Sequence, residues 1–153
     1  DIAYEDFLRA LKMASLLGEW AEEKGEDHLL ETFGVTPGEL RARLERADWL
    51  LYSLQELALL LGKMPLLKDI RKARLRLKYG IRAELLPLVK LKGVGRVRAR
   101  RLFQSGLKNL GHLRAVPLES LARVVGRSAA ESIKSQLAQE VTKEEPDRED
   151  DPS

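Results

Sequence analysis

The sequence predicts an all-α protein: a helical bundle with one long central helix, followed by a small helix-hairpin-helix domain. Three observations carry that prediction. Apolar residues recur three and four apart through most of the chain, which is the helical period. Segments with strand-like alternation are nearly absent, while hydrophobic residues make up 44% and charged residues 33% of the chain. Glycines fall at the ends of the periodic stretches, where helices stop.

The first helix is expected from about Tyr4 to Lys24, with Phe7, Leu8, Leu11, Ala14, Leu17 and Ala21 on one stripe and Trp20 continuing it as a packing residue. Gly25 should stop it, and a short helix should follow from Asp27 to Phe33. Thr36-Pro37-Gly38-Glu39 is a strong start signal: Thr at the N-cap, Pro at the first helical position and Glu three residues on, a capping box. The helix it opens should reach Leu61, with Gly62 as the stop and Leu40, Leu44, Ala47, Leu51, Leu54, Ala58 and Leu61 as the buried seam. At about 100° per residue, Trp49 lies roughly 170° from that seam, on the side of Ala42, Glu45, Arg46, Ser53 and Glu56. A basic helix, Leu66 to Tyr79, ends at Gly80. Arg82 to Val89 and Gly95 to Gln104 are expected as the two helices of the hairpin, closed by Leu102 and Phe103. Leu110 to Leu137 echoes that unit weakly, with Leu118–Val125 and a helix from Ala129 to Val141 capped by Ser128. It has one turn glycine, Gly126, where the first unit has two, so its expected role is core. These elements set the expected divisions at 1–80, 81–141 and an acidic, disordered tail over 142–153.

The turn between the hairpin helices is the most informative stretch, LKGVGRVRARRLF from Leu91 to Phe103. Gly93 and Gly95 flank Val94 in a sharp turn, and the helix that follows offers unpaired N–H groups and the positive end of its dipole. That is a site for a phosphate. Lys92, Arg96, Arg98, Arg100 and Arg101 add positive charge, although Arg98 and Arg100 lie well apart on the helix, so the four arginines cannot all face one phosphate. Charge is segregated to match. The net charge of +3 conceals about −7 over residues 1–62, +13 over 63–108 and −5 over 140–153. A polyanion would be met by the middle of the chain.

Other chemistries are excluded. There is no cysteine, so no disulfide or thiolate site, and His28 and His112 stand far apart without metal-ligand spacing. Gly62-Lys63 lacks the upstream glycine and the hydroxyl of a nucleotide-binding loop. No apolar run approaches the length of a membrane span, and no signal peptide is visible, so a cytoplasmic, membrane-free, monomeric protein that is non-catalytic alone is expected.

FLRALKMASLLGEWAEE, FGVTPGELRARLERADWLLYSLQELA, YGIRAELLPLVKLKGVGRVRARRLFQSG and AAESIKSQL, in that order, resemble the C-terminal third of archaeal Hjm-type superfamily 2 DNA helicases. The resemblance covers about Ile2 to Leu137. It implies a bundle whose long "ratchet" helix lies across a translocating single strand, with Trp49 as the residue that stacks on a base. An arginine two turns earlier would fall at Ala42, and Arg43 or Arg46 could serve in its place. It implies further that Lys92, Gly93, Val94, Gly95, Arg96, Arg98, Arg100 and Arg101 hold the emerging strand. The parent would be an ATP-dependent 3′–5′ helicase acting at forks in repair and recombination, with ATP and magnesium in motor domains absent from this chain. Its partners would be single-stranded or forked DNA, those motor domains and a single-strand binding protein. Two alternatives stay open: a stand-alone nucleic-acid-binding scaffold, and a protein-interaction module that docks its basic segment on an acidic partner.

Overall fold

The structure, a computed structural model, describes residues 1–143, the side chains of residues 142 and 143 excepted. Among the described residues it is all-α, as expected: α1 (Ile2–Ala21), α2 (Glu26–Phe33), α3 (Pro37–Leu60), α4 (Met64–Tyr79), α5 (Arg96–Gln104), α6 (Leu110–Ala115), α7 (Leu118–Val125) and α8 (Arg127–Lys143). Of the tail expected over 142–153, the backbone of the first two residues continues α8, and the rest lies outside the described residues. The chain divides into two compact units, Asp1–Leu86 and Pro87 onward.

In the first unit the capping box forms in full. Thr36 Oγ1 accepts from the Glu39 N–H at 3.3 Å, and the Glu39 carboxylate accepts from the Thr36 N–H at 2.8 Å. The bond from the Thr36 backbone, then that from its hydroxyl, holds the Glu39 carboxyl below the usual carboxylate range. Leu16, Leu29, Val35 and Leu40 form one buried cluster with Met13, Trp20, Phe33 and Leu44 around it. Ala58, Leu67 and Ile70 form a second cluster with Leu51, where α3 packs on α4.

Trp20 joins α1 to the end of α4. Its Nε1–H donates to the Leu77 carbonyl at 2.8 Å, and its ring lies over Gly80 so closely that a Cβ there would meet the ring at 2.5 Å. Gly80 also has φ of +63°, the left-handed stop of α4. Arg76 donates to the Ile81 carbonyl, and the Arg82 N–H donates to Glu23, so the chain just past Gly80 stays tied to the first unit.

Two expectations for α1 are corrected. The helix ends at Ala21, and the left-handed residue of its stop is Glu23, φ +66°, not Gly25; the bond from Arg82 to the Glu23 carboxylate holds that turn. The expected stripe is used only toward its C-terminal end: Ala21 is buried and Leu17 half-buried, but Phe7, Leu8, Leu11 and Ala14 are exposed, because among the described residues no element of the first unit covers that end of the helix.

In the second unit Leu102, Leu113, Leu121, Ala130 and Ile133 are fully buried, so the weak echo does supply core, chiefly through the α7–α8 pair. The first hairpin helix expected over Arg82–Val89 does not form. Two 3-10 turns, Ala83–Leu85 and Leu88–Lys90, stand there instead, with Pro87 between them. Proline lacks the N–H that a continuous helix needs, so the hydrogen-bond ladder is interrupted at Pro87 although Leu86 and Pro87 both keep right-handed helical dihedrals. The expected cap of α8 also shifts: the helix starts at Arg127, one residue before Ser128. Arg127 spans Glu119 at 2.7 Å and Glu131 at 3.0 Å, and both partners stabilise its charged form, Glu131 first. The short α6 is capped by Asn109, whose side chain accepts from the His112 N–H at 2.8 Å. Its other end is closed by Lys134, whose ammonium donates to the carbonyls of Leu113 at 2.8 Å, Arg114 at 3.0 Å and Val116.

Two outcomes follow for stability. Gly80→Ala should cost the first unit about 2 kcal/mol or more, since it meets both the positive φ and the Trp20 ring, whereas Gly62→Ala, at φ +65° with nothing within 4 Å, should cost about 1 kcal/mol. Urea unfolding of the two variants checks the difference. Lys134→Met should cost the second unit about 1–3 kcal/mol, because three carbonyls at the end of α6 lose their donor.

Candidate nucleic-acid interface

The residues singled out in the sequence fall in two groups, one in each unit. In the first, the rotation of α3 is set by its buried side, Leu40 and Ala58, and by α4. Arg74 reaches from α4 and grips α3: Nε and Nη2 donate to the two Asp48 carboxylate oxygens at 2.8 and 3.1 Å, and Nη1 donates to Gln55 Oε1 at 3.0 Å. The bond from Arg74 is the largest cause holding the Asp48 carboxyl below its ordinary range. With α3 fixed in this way, Trp49 points outward at 67% exposure. The expected seam is buried only in part: Leu44, Ala47 and Leu51 are half-buried, while Leu54 and Leu61 are exposed.

Arg46 is exposed on the same outer side, one turn before Trp49. Arg43 is half-buried and directs Nη1 at the Met13 sulfur, 3.8 Å away, so it turns toward α1 rather than toward Trp49. Ala42 takes the outward position two turns before Trp49 and offers neither ring nor charge. Tyr52, one turn after Trp49, was not singled out in the sequence. It is 47% exposed, and the Arg74 guanidinium lies over its ring, 5.2 Å from the centroid. An open cleft of about 890 Å³ lies beside this helix, with Trp20, Leu44, Asp48, Arg71 and Lys78 among its walls.

In the second unit the turn before α5 is held at two points. The Lys92 N–H donates to Gln136 Oε1 at 2.8 Å, and Gln136 Nε2 donates back to the Lys92 carbonyl at 3.0 Å. Arg98 Nη1 donates to the Gly93 carbonyl at 2.7 Å. Val94 is buried beneath the turn. Gly93 has φ of +81°, which only glycine adopts readily. Gly95 does not need its freedom in this way: it is the N-cap of α5 at φ −97° and ψ −163°, extended backbone open to any residue, and a Cβ there would meet nothing within 4 Å. The N-cap residue of α5 is a glycine, so it supplies no capping side chain of its own.

The arginines divide into two kinds. Arg98 and Arg101 are exposed and about 60° apart on the helix wheel, so they share one side. Arg96 and Arg100 are half-buried and already engaged within the protein, Arg100 over the Phe103 ring at 5.3 Å. Lys92 is exposed at the start of the turn. Gln136 was missed in the sequence because its partner is 44 residues away. Arg127, after the second turn, is held by two glutamates and is committed to structure.

Asp48 carries a pH dependence of known sign. Its carboxyl is lowered in the folded state, so the pair stabilises the fold above the ordinary aspartate range and that contribution is lost as pH falls through the lowered value. Asp48→Asn should lower stability at neutral pH and flatten the acid limb of the stability profile, measured by urea unfolding across the acid range.

The geometry agrees with the relationships of the chain. Residues 1–80 match the family model described as archaeal helicase, domain 4. The ATP-dependent DNA helicase Hel308 of Methanocella arvoryzae is 36% identical over 154 residues, spanning 99% of this chain and 21% of that protein. The Hel308 of Caldivirga maquilingensis is 43% identical, spanning 89% of this chain and 18% of that protein, and that of Pyrococcus abyssi is 40% identical over 92% and 21%. The chain thus spans about a fifth of the length of the curated relatives it matches. It belongs to the archaeal helicase domain 4 family and corresponds to a C-terminal region of archaeal superfamily 2 helicases.

Proposed function

We propose that this chain is the single-stranded DNA-binding region of an ATP-dependent 3′–5′ DNA helicase that acts at forks in repair and recombination. The observation that carries the reading is Trp49: a large aromatic, 67% exposed, at the centre of the outer face of a rigidly held long helix. An indole left in water costs burial energy and makes sense where a base covers it. Stacking of a base on an aromatic contributes about 1–3 kcal/mol and tolerates any sequence, which suits a protein that moves along a strand. Arg46 lies where a neighbouring phosphate can be met.

The second contact is the turn before α5. The start of α5, where the helix dipole is positive, suits a phosphate oxygen, and Gly95 leaves open space there for close approach. Arg98, Arg101 and Lys92 supply charge on the exposed side, while Arg96 and Arg100 act mainly within the protein. Such contacts ignore sequence and release counterions, so binding weakens steeply with salt.

In the sequence Gly62-Lys63 lacks the rest of a phosphate loop, and among the described residues no group of three His, Cys, Asp or Glu is placed to hold a metal ion. On this reading nucleotide and metal belong to motor domains elsewhere in the parent, which would be partners of this region along with DNA and a single-strand binding protein. No helix among the described residues is long and apolar enough to cross a membrane, and we place the parent in the cytoplasm.

Anisotropy of a labelled single-stranded DNA, titrated with the chain at two salt concentrations, tests the reading. The expected result is salt-sensitive binding that Trp49→Ala weakens about five- to hundredfold and that Gly95→Glu also weakens, with a shallower salt slope, by placing a carboxylate at the phosphate position. Full binding by Trp49→Ala would assign Trp49 to structure alone. Binding of an acidic peptide but of no DNA would favour the protein-interaction reading.

A further inference from the structure

We propose that Tyr52, backed by Arg74, is a second base-stacking position next to Trp49, so that α3 presents a two-base platform to single-stranded DNA; this rests on the DNA-binding reading above. Tyr52 follows Trp49 by three residues, which on an α-helix is roughly 60° of rotation and about 4.5 Å along the axis. Both rings therefore sit on one outer face, one turn apart, and both are exposed, at 67% and 47%. On the other side of Trp49 the outward position is Ala42, so the platform extends only toward the C-terminal end of α3.

The backing of the ring is what separates Tyr52 from an ordinary surface tyrosine. Arg74 lies over it at 5.2 Å, and every guanidinium nitrogen is occupied: two by Asp48 at 2.8 and 3.1 Å, one by Gln55 at 3.0 Å. A guanidinium fixed at all three nitrogens cannot swing away, so it fixes the ring beside it. The ring's remaining surface is held ready for a partner, and binding need not order it. The same contact solves an electrostatic problem. Asp48 immediately precedes Trp49, and a bare carboxylate there would repel a nucleic-acid backbone; Arg74 neutralises it. The ligand class is single-stranded nucleic acid of any sequence, two adjacent bases at a time.

The test compares the chain with Tyr52→Leu, Tyr52→Phe and Trp49→Ala on a labelled oligothymidylate and on an abasic strand of equal length, by anisotropy at two salt concentrations. Tyr52→Leu should bind oligothymidylate about five- to tenfold more weakly with an unchanged salt slope, Tyr52→Phe should bind as the unaltered chain does, and on the abasic strand all of these should bind alike. A loss with Trp49→Ala but none with Tyr52→Leu overturns the second position and leaves the DNA-binding reading standing. An equal loss by Tyr52→Leu on both strands marks damage to the fold and overturns the assignment as well. No binding by the unaltered chain overturns both.

Discussion

The angle at which α3 is set about its own axis governs what the first unit can do. A helix turns about 100° per residue, so an error of two residues in packing register would carry Trp49 from water into the core. That angle is fixed by apolar contacts below, at Leu40, Leu51 and Ala58, and by a polar clamp at the side, where Arg74 takes both oxygens of Asp48 and the amide of Gln55. The apolar part is non-directional and tolerates small rotations. The forked guanidinium is directional and does not. The pair is half-exposed, so its contribution to global stability is modest, and its value lies in orientation.

The second unit solves a comparable problem with backbone rather than with rings. Gln136 binds the N–H and the carbonyl of Lys92, just ahead of the turn, and Arg98 binds the Gly93 carbonyl. The N-cap residue of α5, Gly95, has no side chain to add to this. The turn is thus held from two sides, by a side chain of α8 before it and by one of α5 after it.

Much of this was legible in the sequence, and for local reasons. The capping box of Thr36 and Glu39, the stops at Gly62 and Gly80 and the outward direction of Trp49 follow from a few neighbouring residues, and all are found. Where the sequence misled, the deciding partner was distant or the rule was incomplete. A helical period in Phe7, Leu8 and Leu11 says that one face is apolar; it does not say that this chain contains the element to cover it. Pro87 broke an expected helix into two short turns. Gly95 reads as conformationally necessary beside Gly93, yet its dihedrals suit any residue. Tyr52 was overlooked because its significance comes from Arg74, 22 positions away in sequence and adjacent only once α4 folds back along α3.

Lys134 has a consequence for the chemistry of the surface. Its Nζ donates to three carbonyls at the end of α6, so the nitrogen is held against the protein with its hydrogens engaged. Acylating or reductively methylating reagents must reach that nitrogen, and the three carbonyls enclose it. Lys68 and Lys72, exposed on α4, are open to such reagents, while Lys134 stays blank for as long as the second unit is folded. The lysine therefore serves as an internal reporter: the moment it takes up label is the moment the α6–α8 contact opens.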